Sequence, residues 1–255
     1  MSTAPVSIGV AGVLGPAAIA QIAAAAEQAG LYALWVNDTP GGDALAALHE
    51  AARVTERLVL ATGVVPLDRR TPDEILIDAA GLPEDRLILG IGSGQASGPV
   101  LAAVRNAVDA LRERTAAGIV VGALGPKMRA LAVEVSDGML LNWLPAHVAA
   151  DQAVEAHAVA PGATVALYVR TALDEGGMPR LRAEAERYAG FPKYAANFAR
   201  LGVSAGDTVL TPGAESLAAY RAAVDEVVLR VMTGSDDVDD VVRFVERAGE
   251  LAAAA

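Results

Sequence analysis

The feature that most constrains the fold of this chain is an alternation of short apolar runs with helical stretches from one end to the other. Eight runs rich in valine, isoleucine and leucine are continuous rather than interrupted at every second position. Continuous runs of this kind are typical of parallel strands that helices cover. Eight strand-and-helix units in about 250 residues match a (β/α)8 TIM barrel. The sequence therefore predicts a single α/β barrel domain over residues 1–255, with only short insertions.

The boundaries of the predicted elements follow from the apolar runs and from glycine and proline positions. The predicted strands are Val6–Ala11, Tyr32–Val36, Leu58–Val65, Arg86–Ile91, Ile119–Leu124, Gly138–Trp143, Thr164–Thr171 and Glu226–Met232. The predicted helices are Pro16–Ala29, Asp43–Thr55, Pro72–Ala80, Pro99–Arg114, Pro126–Ser136, Pro145–His157, Pro179–Leu201, Pro212–Ala223 and Val238–Ala252. A doubly wound open sheet would need fewer strands and usually a G-x-G-x-x-G turn after the first strand. The sequence there, AGVLGPAA, lacks that spacing.

Composition excludes several classes of function. The chain has no cysteine, so disulfides, thiolate catalysis and cysteine metal sites are excluded, which fits a cytoplasmic protein. The net charge of −11, without any basic stripe, argues against a nucleic-acid partner. No apolar run approaches the roughly 20 residues of a membrane helix, and the start MSTAPVSIGV does not read as a signal peptide, so no membrane partner is expected. No metal site is expected either, because His49, His147 and His157 lack metal-ligand spacing.

Backbone donors are expected at two neighbouring strand ends. A barrel keeps its chemistry at the C-terminal ends of its strands. After the fourth predicted strand, Gly92, Ser93 and Gly94 offer open backbone N–H groups and one hydroxyl. After the fifth, Gly125-Pro126 opens a helix whose positive dipole end favours phosphate. The glycine turn alone is a weak signal, since many tight turns look similar. Together the two turns suit a phosphate-bearing ligand that lies across them.

Other strand ends carry residues with a functional and a structural interpretation. Asp38, after the second strand, could position a substrate or the edge of a ring, or it could cap the next turn. Thr62 and Gly63, after the third strand, leave room for a flat ligand to lie against the backbone. Trp143, after the sixth strand, could form a pocket wall or belong to the core.

Three arginines near strand ends also have two interpretations. Arg69 and Arg70 could bind a phosphate or a carboxylate, or could pair with surface acids such as Asp68 or Asp73. Arg230 lies among apolar residues within the last strand, and a buried arginine needs a partner. We expect an acid in the barrel core to pair with it.

Four stretches of the chain together resemble the luciferase-like monooxygenase superfamily. They are AEQAGLYALWVND at 26–38, DALAALHEAARVTERLVLATGVVP at 43–66 with the following RRTP, DRLILGIGSG at 85–94, and VVGALGPKMRALAVEVSDGMLLNW at 120–143. They are specific jointly rather than singly. Members of this superfamily are (β/α)8 barrels that use FMN or coenzyme F420, and they are commonly dimers. The resemblance therefore implies a flavin- or deazaflavin-dependent oxidoreductase that acts on a small organic substrate, as a homodimer.

The resemblance also assigns roles to strand-end residues. Asp38 resembles the acid near the deazaflavin ring, and the Gly63-Val64 bond resembles a non-prolyl cis peptide that supports the ring. The glycine turn resembles the contacts to the cofactor side chain, and the Gly-Pro turn resembles the phosphate-binding turn of the deazaflavin branch, which favours coenzyme F420 over FMN. With Thr62 from the strand ends, the candidate cofactor-binding residues are Asp38, Thr62, Gly63, Val64, Gly92, Ser93, Gly94, Leu124, Gly125, Pro126 and Lys127.

Two positions depart from the pattern of alcohol-oxidising deazaflavin enzymes. A histidine after the second-strand acid and a glutamate after the fourth-strand glycines are replaced here by Thr39 and Gln95. Neither residue carries protons well near neutral pH, so an alcohol dehydrogenase mechanism is not transferred, and Asp38 is the one weak catalytic candidate. The connection 95–117 is also short for this family, which predicts an open, shallow pocket or one closed by a partner subunit.

Several functions stay open at this point. The first is hydride transfer between a deazaflavin and a small substrate, such as an activated double bond or an imine. The second is a cofactor carrier or store with little catalysis, which the missing proton carriers favour. The third is an FMN-dependent monooxygenase. A sugar-phosphate barrel enzyme is disfavoured, because its phosphate site usually follows strands seven and eight, and loops 171–177 and 233–240 are acidic here.

Overall fold

The structure is a computed structural model that describes residues 3–213 and 216–254. Its strands are β1 Val6–Ala11, β2 Ala33–Asn37, β3 Val59–Thr62, β4 Val65–Pro66, β5 Leu87–Gly92, β6 Gly118–Gly122, β7 Gly138–Asn142, β8 Thr164–Thr171 and β9 Glu226–Val231. Its helices are α1 Pro16–Gln28, α2 Ala44–Val54, α3 Pro72–Ala79, α4 Val100–Arg112, α5 Pro126–Val135, α6 Ala146–Val159, α7 Met178–Ala189, α8 Pro192–Leu201, α9 Ser216–Ala223 and α10 Val238–Ala254. None of the helices in these ranges is long and apolar enough to cross a membrane.

The strands form a closed parallel barrel. Their order is β3-β2-β1-β9-β8-β7-β6-β5, and pairing of β3 with β5 closes the ring. The two-residue strand β4 continues β3 after a break at Gly63-Val64 and pairs with β5 through Val65 and Ile91. Helices follow the strands around the outside, so the predicted (β/α)8 fold is confirmed.

Three predicted elements differ in division or extent from those observed. The third predicted strand, Leu58–Val65, is divided into β3 and β4. The predicted helix Pro179–Leu201 is two helices, because Pro192 lacks the N–H that a continuous helix needs and instead begins α8. The predicted helix Pro212–Ala223 is seen from Ser216 onward, and its residues 214–215 lie outside the described part of the chain.

Alternate strand residues point into the barrel, and they fill its lumen in layers. The middle of the lumen is apolar and holds Trp35 and Tyr168, whose rings meet edge to face at 6.3 Å. At the floor, the Ser7 hydroxyl and the Trp35 indole N–H both donate to Glu226 Oε1, at 2.6 Å. Burial raises the pKa of the Glu226 carboxyl, and these two hydrogen bonds oppose the rise.

The same two-residue period places a ring of inward positions at the mouth, the C-terminal end of the barrel. The inward mouth residues of β3, β5 and β6 and the residue that follows β3 are small, whereas β8 and β9 contribute arginines. We call Gly63, Gly92 and Gly122 the glycine half of the mouth, and Arg170 with Arg230 the arginine half. The two halves place very different chemistry on opposite sides of one opening.

Candidate functional site

Val64 joins the separate parts of the glycine half. The Gly63-Val64 peptide bond is cis, as the resemblance predicts. A Cβ placed on Gly92 would lie 2.8 Å from Val64 Cγ2, and one on Gly122 would lie 3.1 Å from Val64 Cγ1. The Val64 side chain therefore lies over the ends of β5 and β6, in space that exists because those strands end in glycine. The structure thus brings the break after β3 next to the ends of β5 and β6, which the two predicted backbone turns follow.

The turn after β5 presents unused backbone donors. Gly94 has a φ of +57°, and a Cβ at this position would overlap the Asp68 carboxylate. The same carboxylate accepts the Gln95 N–H at 2.9 Å, which fixes the turn. Within the described residues, the N–H groups of Ser93 and Gly94 donate to no protein acceptor. They can donate to a ligand.

The turn before α5 offers a second set of donors. Gly125 is the N-cap and Pro126 begins the helix, without a capping hydrogen bond from any side chain. Among the described residues, no acceptor takes the N–H groups of Leu124, Gly125 or Lys127. Nothing lies within 4 Å of the position where a Gly125 Cβ would be. Free N–H groups, the positive helix end and open space together form a suitable cradle for a phosphate.

Thr62 has a structural contact in this part of the barrel. Its side chain is fully buried, and its hydroxyl donates to the Gly90 carbonyl at 2.9 Å. This bond ties β3 to β5 directly beneath the glycine half. Asn37 contributes from β2, since its side-chain N–H donates to the Gly63 carbonyl. Within the described residues, the Asn37 Oδ1 atom is buried and has no partner.

Asp38 lies at the end of β2, where it holds a cluster of charges rather than an open position. It is 6% exposed, and Arg69 donates to its Oδ1 atom. Arg70 Nε lies 3.4 Å from Asp38 Oδ2, and the Ala44 N–H at the start of α2 donates to the same oxygen at 3.4 Å. The capping interpretation of Asp38 is therefore observed, together with two ion pairs.

The two arginines beside Asp38 pair with other acids than those expected. Arg70 also pairs with Asp43 at 3.0 Å and with Asp78. The expected partners Asp68 and Asp73 were wrong. Asp68 instead fixes the turn after β5, and Asp73 pairs with Arg114, which follows α4. The sequence shows the excess of acids but not which of them the fold brings close.

Arg170 is the member of the arginine half with the stronger contacts. Its Nε donates to Glu184 Oε1 at 3.0 Å, and its Nη1 donates to Asn142 Oδ1. The guanidinium also stacks 4.2 Å from the Trp143 ring centroid and 4.9 Å from that of Tyr188. Burial tends to raise the pKa of the Glu184 carboxyl, but the charges of Arg170, Arg230 and Arg187 together with the Arg170 hydrogen bond outweigh burial, and the pKa is lowered.

Arg230 is the registered neighbour of Arg170 but has much weaker contacts. Its Nη1 donates to the Val231 carbonyl at 3.2 Å and to the Gly9 carbonyl at 3.5 Å. No carboxylate of the described residues lies within 4.0 Å, so the expected ion pair is not found there. Burial lowers the pKa of the guanidinium, and the negative charge of Glu184 opposes that effect. Arg230 also lines a cavity of 410 Å³.

Trp143 belongs to the core. Its side chain is fully buried and packs 4.8 Å from the Tyr188 ring and 6.3 Å from the Phe198 ring, measured between centroids. Its backbone φ is 56°, an unusual value for a residue with a large side chain. The core alternative is thus the one observed, and Trp143 supports Arg170 from below.

Sequence reasoning missed several residues of the mouth. Gly122 and Asn37 contact the break after β3, and Arg170 and Glu184 form the ion pair opposite it. One signal was available, because a charged residue inside an apolar strand must find a partner. Arg170 in TVALYVRT carries that signal, as does Glu226 in EVVLRV. Glu184 carries none, since its helix is polar along much of its length.

Comparison with known proteins gives a family match and a set of similar folds. The luciferase-like monooxygenase family matches residues 2–115. No curated protein matches the sequence. The structure is similar to the coenzyme F420 dependent tetrahydromethanopterin reductase from Methanopyrus kandleri, with a TM-score of 0.76 and 17% identity, covering 97% of this chain and 98% of that one.

Two further solved structures represent both cofactor classes. An F420-dependent secondary alcohol dehydrogenase, in complex with an F420-acetone adduct, has a TM-score of 0.74 and 15% identity, with 97% and 98% of the two chains covered. The oxygenating constituent of 3,6-diketocamphane monooxygenase from Pseudomonas putida, in complex with FMN, has a TM-score of 0.67 and 13% identity, with 100% and 98% covered. These two proteins share the fold of this chain, and their structures hold an F420-acetone adduct and FMN, respectively.

At these identities the solved structures establish the fold, while the sequence match covers the part of the chain that contains β1 to β5 and α1 to α4. That part includes the break after β3 and the glycine turn after β5. By sequence over residues 2–115 and by fold over nearly its whole length, this chain is similar to the luciferase-like F420- and FMN-dependent enzymes.

Proposed function

We propose that this chain is an oxidoreductase that binds coenzyme F420 along the glycine half of the mouth and serves hydride transfer to or from a small organic substrate. The observation that carries the proposal is the placement of two sets of free backbone donors, at Ser93-Gly94 and at Leu124-Gly125, just after the two strand ends that Val64 contacts. A cofactor with a phosphate and a flat ring needs both features side by side. The bound cofactor supplies the hydride chemistry.

The proposed roles of the chain's residues are binding and orientation. The turn at Gly125, Pro126 and Lys127 holds the phosphate through backbone N–H groups, as the open cradle there allows. Val64 and Gly63 support the ring at the break after β3. Asp38 fixes Arg69 and Arg70 at the edge of the site. Because the carboxylate already accepts two hydrogen bonds and forms an ion pair with Arg70, it serves this proposal as a positioning residue.

The preference for coenzyme F420 over FMN rests on the Gly-Pro turn and on the structural neighbours. The two F420-dependent proteins named above have TM-scores of 0.76 and 0.74, and the FMN-dependent one has 0.67. FMN-dependent monooxygenation is the second candidate, favoured by the family match. A binding protein with little catalysis is the third, because Thr39 and Gln95 offer no proton carrier. We also propose that the chain is cytoplasmic and forms a homodimer. Light scattering on the purified protein tests the homodimer.

The deciding experiment titrates the purified chain with oxidised coenzyme F420 and, separately, with FMN, followed by fluorescence. Gly125→Asp should weaken binding of the preferred cofactor at least roughly tenfold, since a carboxylate would occupy the phosphate position and repel it. Gly162→Asp is the matched control, because Gly162 is equally open but lies before β8, at the other end of the barrel.

The outcomes separate the candidates. Preference for FMN, with oxygen consumption on reduction, would replace the deazaflavin proposal by the monooxygenase. Tight binding of coenzyme F420 without turnover on any substrate of a broad panel would favour the binding protein. Absence of binding to either cofactor would overturn the proposed function and leave only the fold.

A further inference from the structure

The cavity beside Arg230 lies on the side of the mouth that the cofactor proposal leaves unused. It has a volume of 410 Å³ and lies between the ends of β1 and β9 on one side and helix α7 on the other. Ala11 on β1, which lines it, pairs with Asn37 on β2, and Asn37 donates to the Gly63 carbonyl. A molecule in this cavity would therefore lie one strand away from the proposed ring position.

The walls of this cavity combine an apolar surface with charges. Val10, Leu14 and Met232 are among its apolar lining residues. Its charged lining consists of Arg180, Arg187, Arg230, Glu184 and Asp236. An apolar wall with a few convergent polar groups is typical of a small-molecule site. The volume is within the range of such sites, which begins at about 300 Å³.

When these charged side chains are paired, one arginine of the lining is left without a carboxylate partner. Arg180 pairs with Asp236 at 2.5 Å, and Arg187 lies 3.5 Å from Glu184. Glu184 is also bound by Arg170 at 3.0 Å, so its charge is already shared. Within the described residues, Arg230 is the lining cation without a carboxylate inside 4.0 Å.

Arg230 is also placed to receive an anion. It follows Glu226 and Val228 on the inward face of β9, and its weak contacts are two carbonyls on one nitrogen, at 3.2 and 3.5 Å. Its remaining N–H donors are not used by the described protein atoms. A guanidinium presents these donors as a planar fork that fits a carboxylate through two parallel hydrogen bonds.

We propose that this cavity is the substrate subsite and that it selects small monocarboxylates with an apolar body, with Arg230 holding the carboxylate. A single negative charge matches the single cation in excess, whereas a phosphate dianion would meet Glu184 and Asp236 without a second free cation. As a substrate subsite it rests on the proposed oxidoreductase function; as a carboxylate-binding pocket it stands independently of any cofactor.

The probe is hexanoate, with hexanamide as its neutral counterpart of nearly the same shape. Binding of both to the full chain is measured at pH 7 by saturation-transfer NMR titration. Hexanoate should bind roughly 10- to 100-fold more tightly than hexanamide, the range expected for hydrogen bonds to a charged group. Equal affinity for the two probes would overturn the proposal without any variant being made.

The variants test which arginine is responsible. Arg230→Met should remove the preference for hexanoate, and Arg230→Lys should restore only part of it, because a lysine keeps the charge but not the fork. Arg180→Met is the matched control, since that arginine lines the same cavity but is already paired with Asp236. An equal loss in Arg180→Met would assign the effect to the general field of the cavity and overturn the role of Arg230.

The same variants are titrated with coenzyme F420 to separate this proposal from the proposed function. Unchanged cofactor affinity in Arg230→Met, together with lost hexanoate binding, supports two distinct positions at the mouth. Hexanoate binding in a chain that binds neither cofactor would overturn the oxidoreductase proposal and leave the carboxylate pocket standing. Cofactor binding with no preference for hexanoate would overturn the carboxylate pocket and leave the oxidoreductase proposal standing.

Discussion

The two halves of the barrel mouth have opposite side-chain compositions. In the glycine half, side chains are absent, so that Val64 and backbone N–H groups face the opening. In the arginine half, long side chains reach into the opening, where Arg170 is enclosed by Glu184 and an aromatic cluster and Arg230 lines a cavity. The glycine half therefore depends on the absence of side chains, whereas Arg170 in the arginine half depends on its ion pair with Glu184 and its aromatic contacts. Their tolerance of mutation should differ accordingly.

The largest effect is expected where the network is interrupted. Arg170→Met should lower the free energy of unfolding by about 3–5 kcal/mol, because it leaves the nearly buried Glu184 without its main partner. Urea denaturation measures the change. The control is Arg187→Met, which contacts the same glutamate at 3.5 Å from a position 62% exposed and should cost less than about 1 kcal/mol. Similar losses in both variants would show that the network does not depend on enclosure.

A smaller but still clear effect is expected beneath the glycine half. Gly90→Ala should destabilise the fold by about 1–3 kcal/mol, because its Cβ would overlap the Thr62 carbonyl oxygen. Gly125→Ala, where nothing lies within 4 Å, should stay within about 0.5 kcal/mol. Thermal unfolding of both variants decides the matter. If Gly90→Ala were as stable as Gly125→Ala, close approach would not be the reason for glycine beneath this half.

The smallest effect concerns the floor below both halves, and it depends on pH. Burial raises the pKa of Glu226 in the folded chain above its ordinary value of 4.5. Its contribution to stability is therefore full below that value and is lost as the pH rises through the folded pKa. Glu226→Gln cannot lose a proton, so its stability relative to the wild type should increase as the pH rises above the ordinary carboxyl pKa of 4.5.

Urea denaturation at several pH values measures this trend in Glu226→Gln. The amide oxygen can still accept from Ser7 and Trp35, so the local hydrogen bonds are retained. A stability difference that stays constant with pH would contradict the burial of a titrating carboxyl at this position.

The two halves also differ in how far the sequence predicts them. Part of the glycine half was predicted, because Gly63 and Gly92 are local signals that lie at predicted strand ends, whereas Gly122 was missed. The barrel itself was predicted for the same reason, since the strand and helix periods are local. Val64 reaching over β5 and β6 was not predicted, because that contact depends on closure of the barrel.

The arginine half was mostly missed, for a physical reason. Its partners come from separate elements of the chain: Arg170 on β8 binds Asn142 on β7, and it meets Glu184 only because α7 folds back over the mouth. The break between α7 and α8 could have been predicted, since Pro192 cannot continue a helix. The pairing of Arg70 with Asp38, Asp43 and Asp78 could not have been predicted, because every acid nearby in sequence carries the same charge.

The short connection between β5 and β6 has a consequence for electrostatics at the mouth. It contains α4 and no further covering segment, so that Gln95, Pro126 and Lys127 are exposed, whereas α7 shields the opposite side. A ligand across the opening would therefore span a gradient of effective dielectric constant, from water-like to low. Coulomb energies rise several-fold as that constant falls. The electrostatic energy of a charge that develops on the shielded side of a ligand would thus depend mainly on protein groups, and that of a charge on the open side mainly on the solvent.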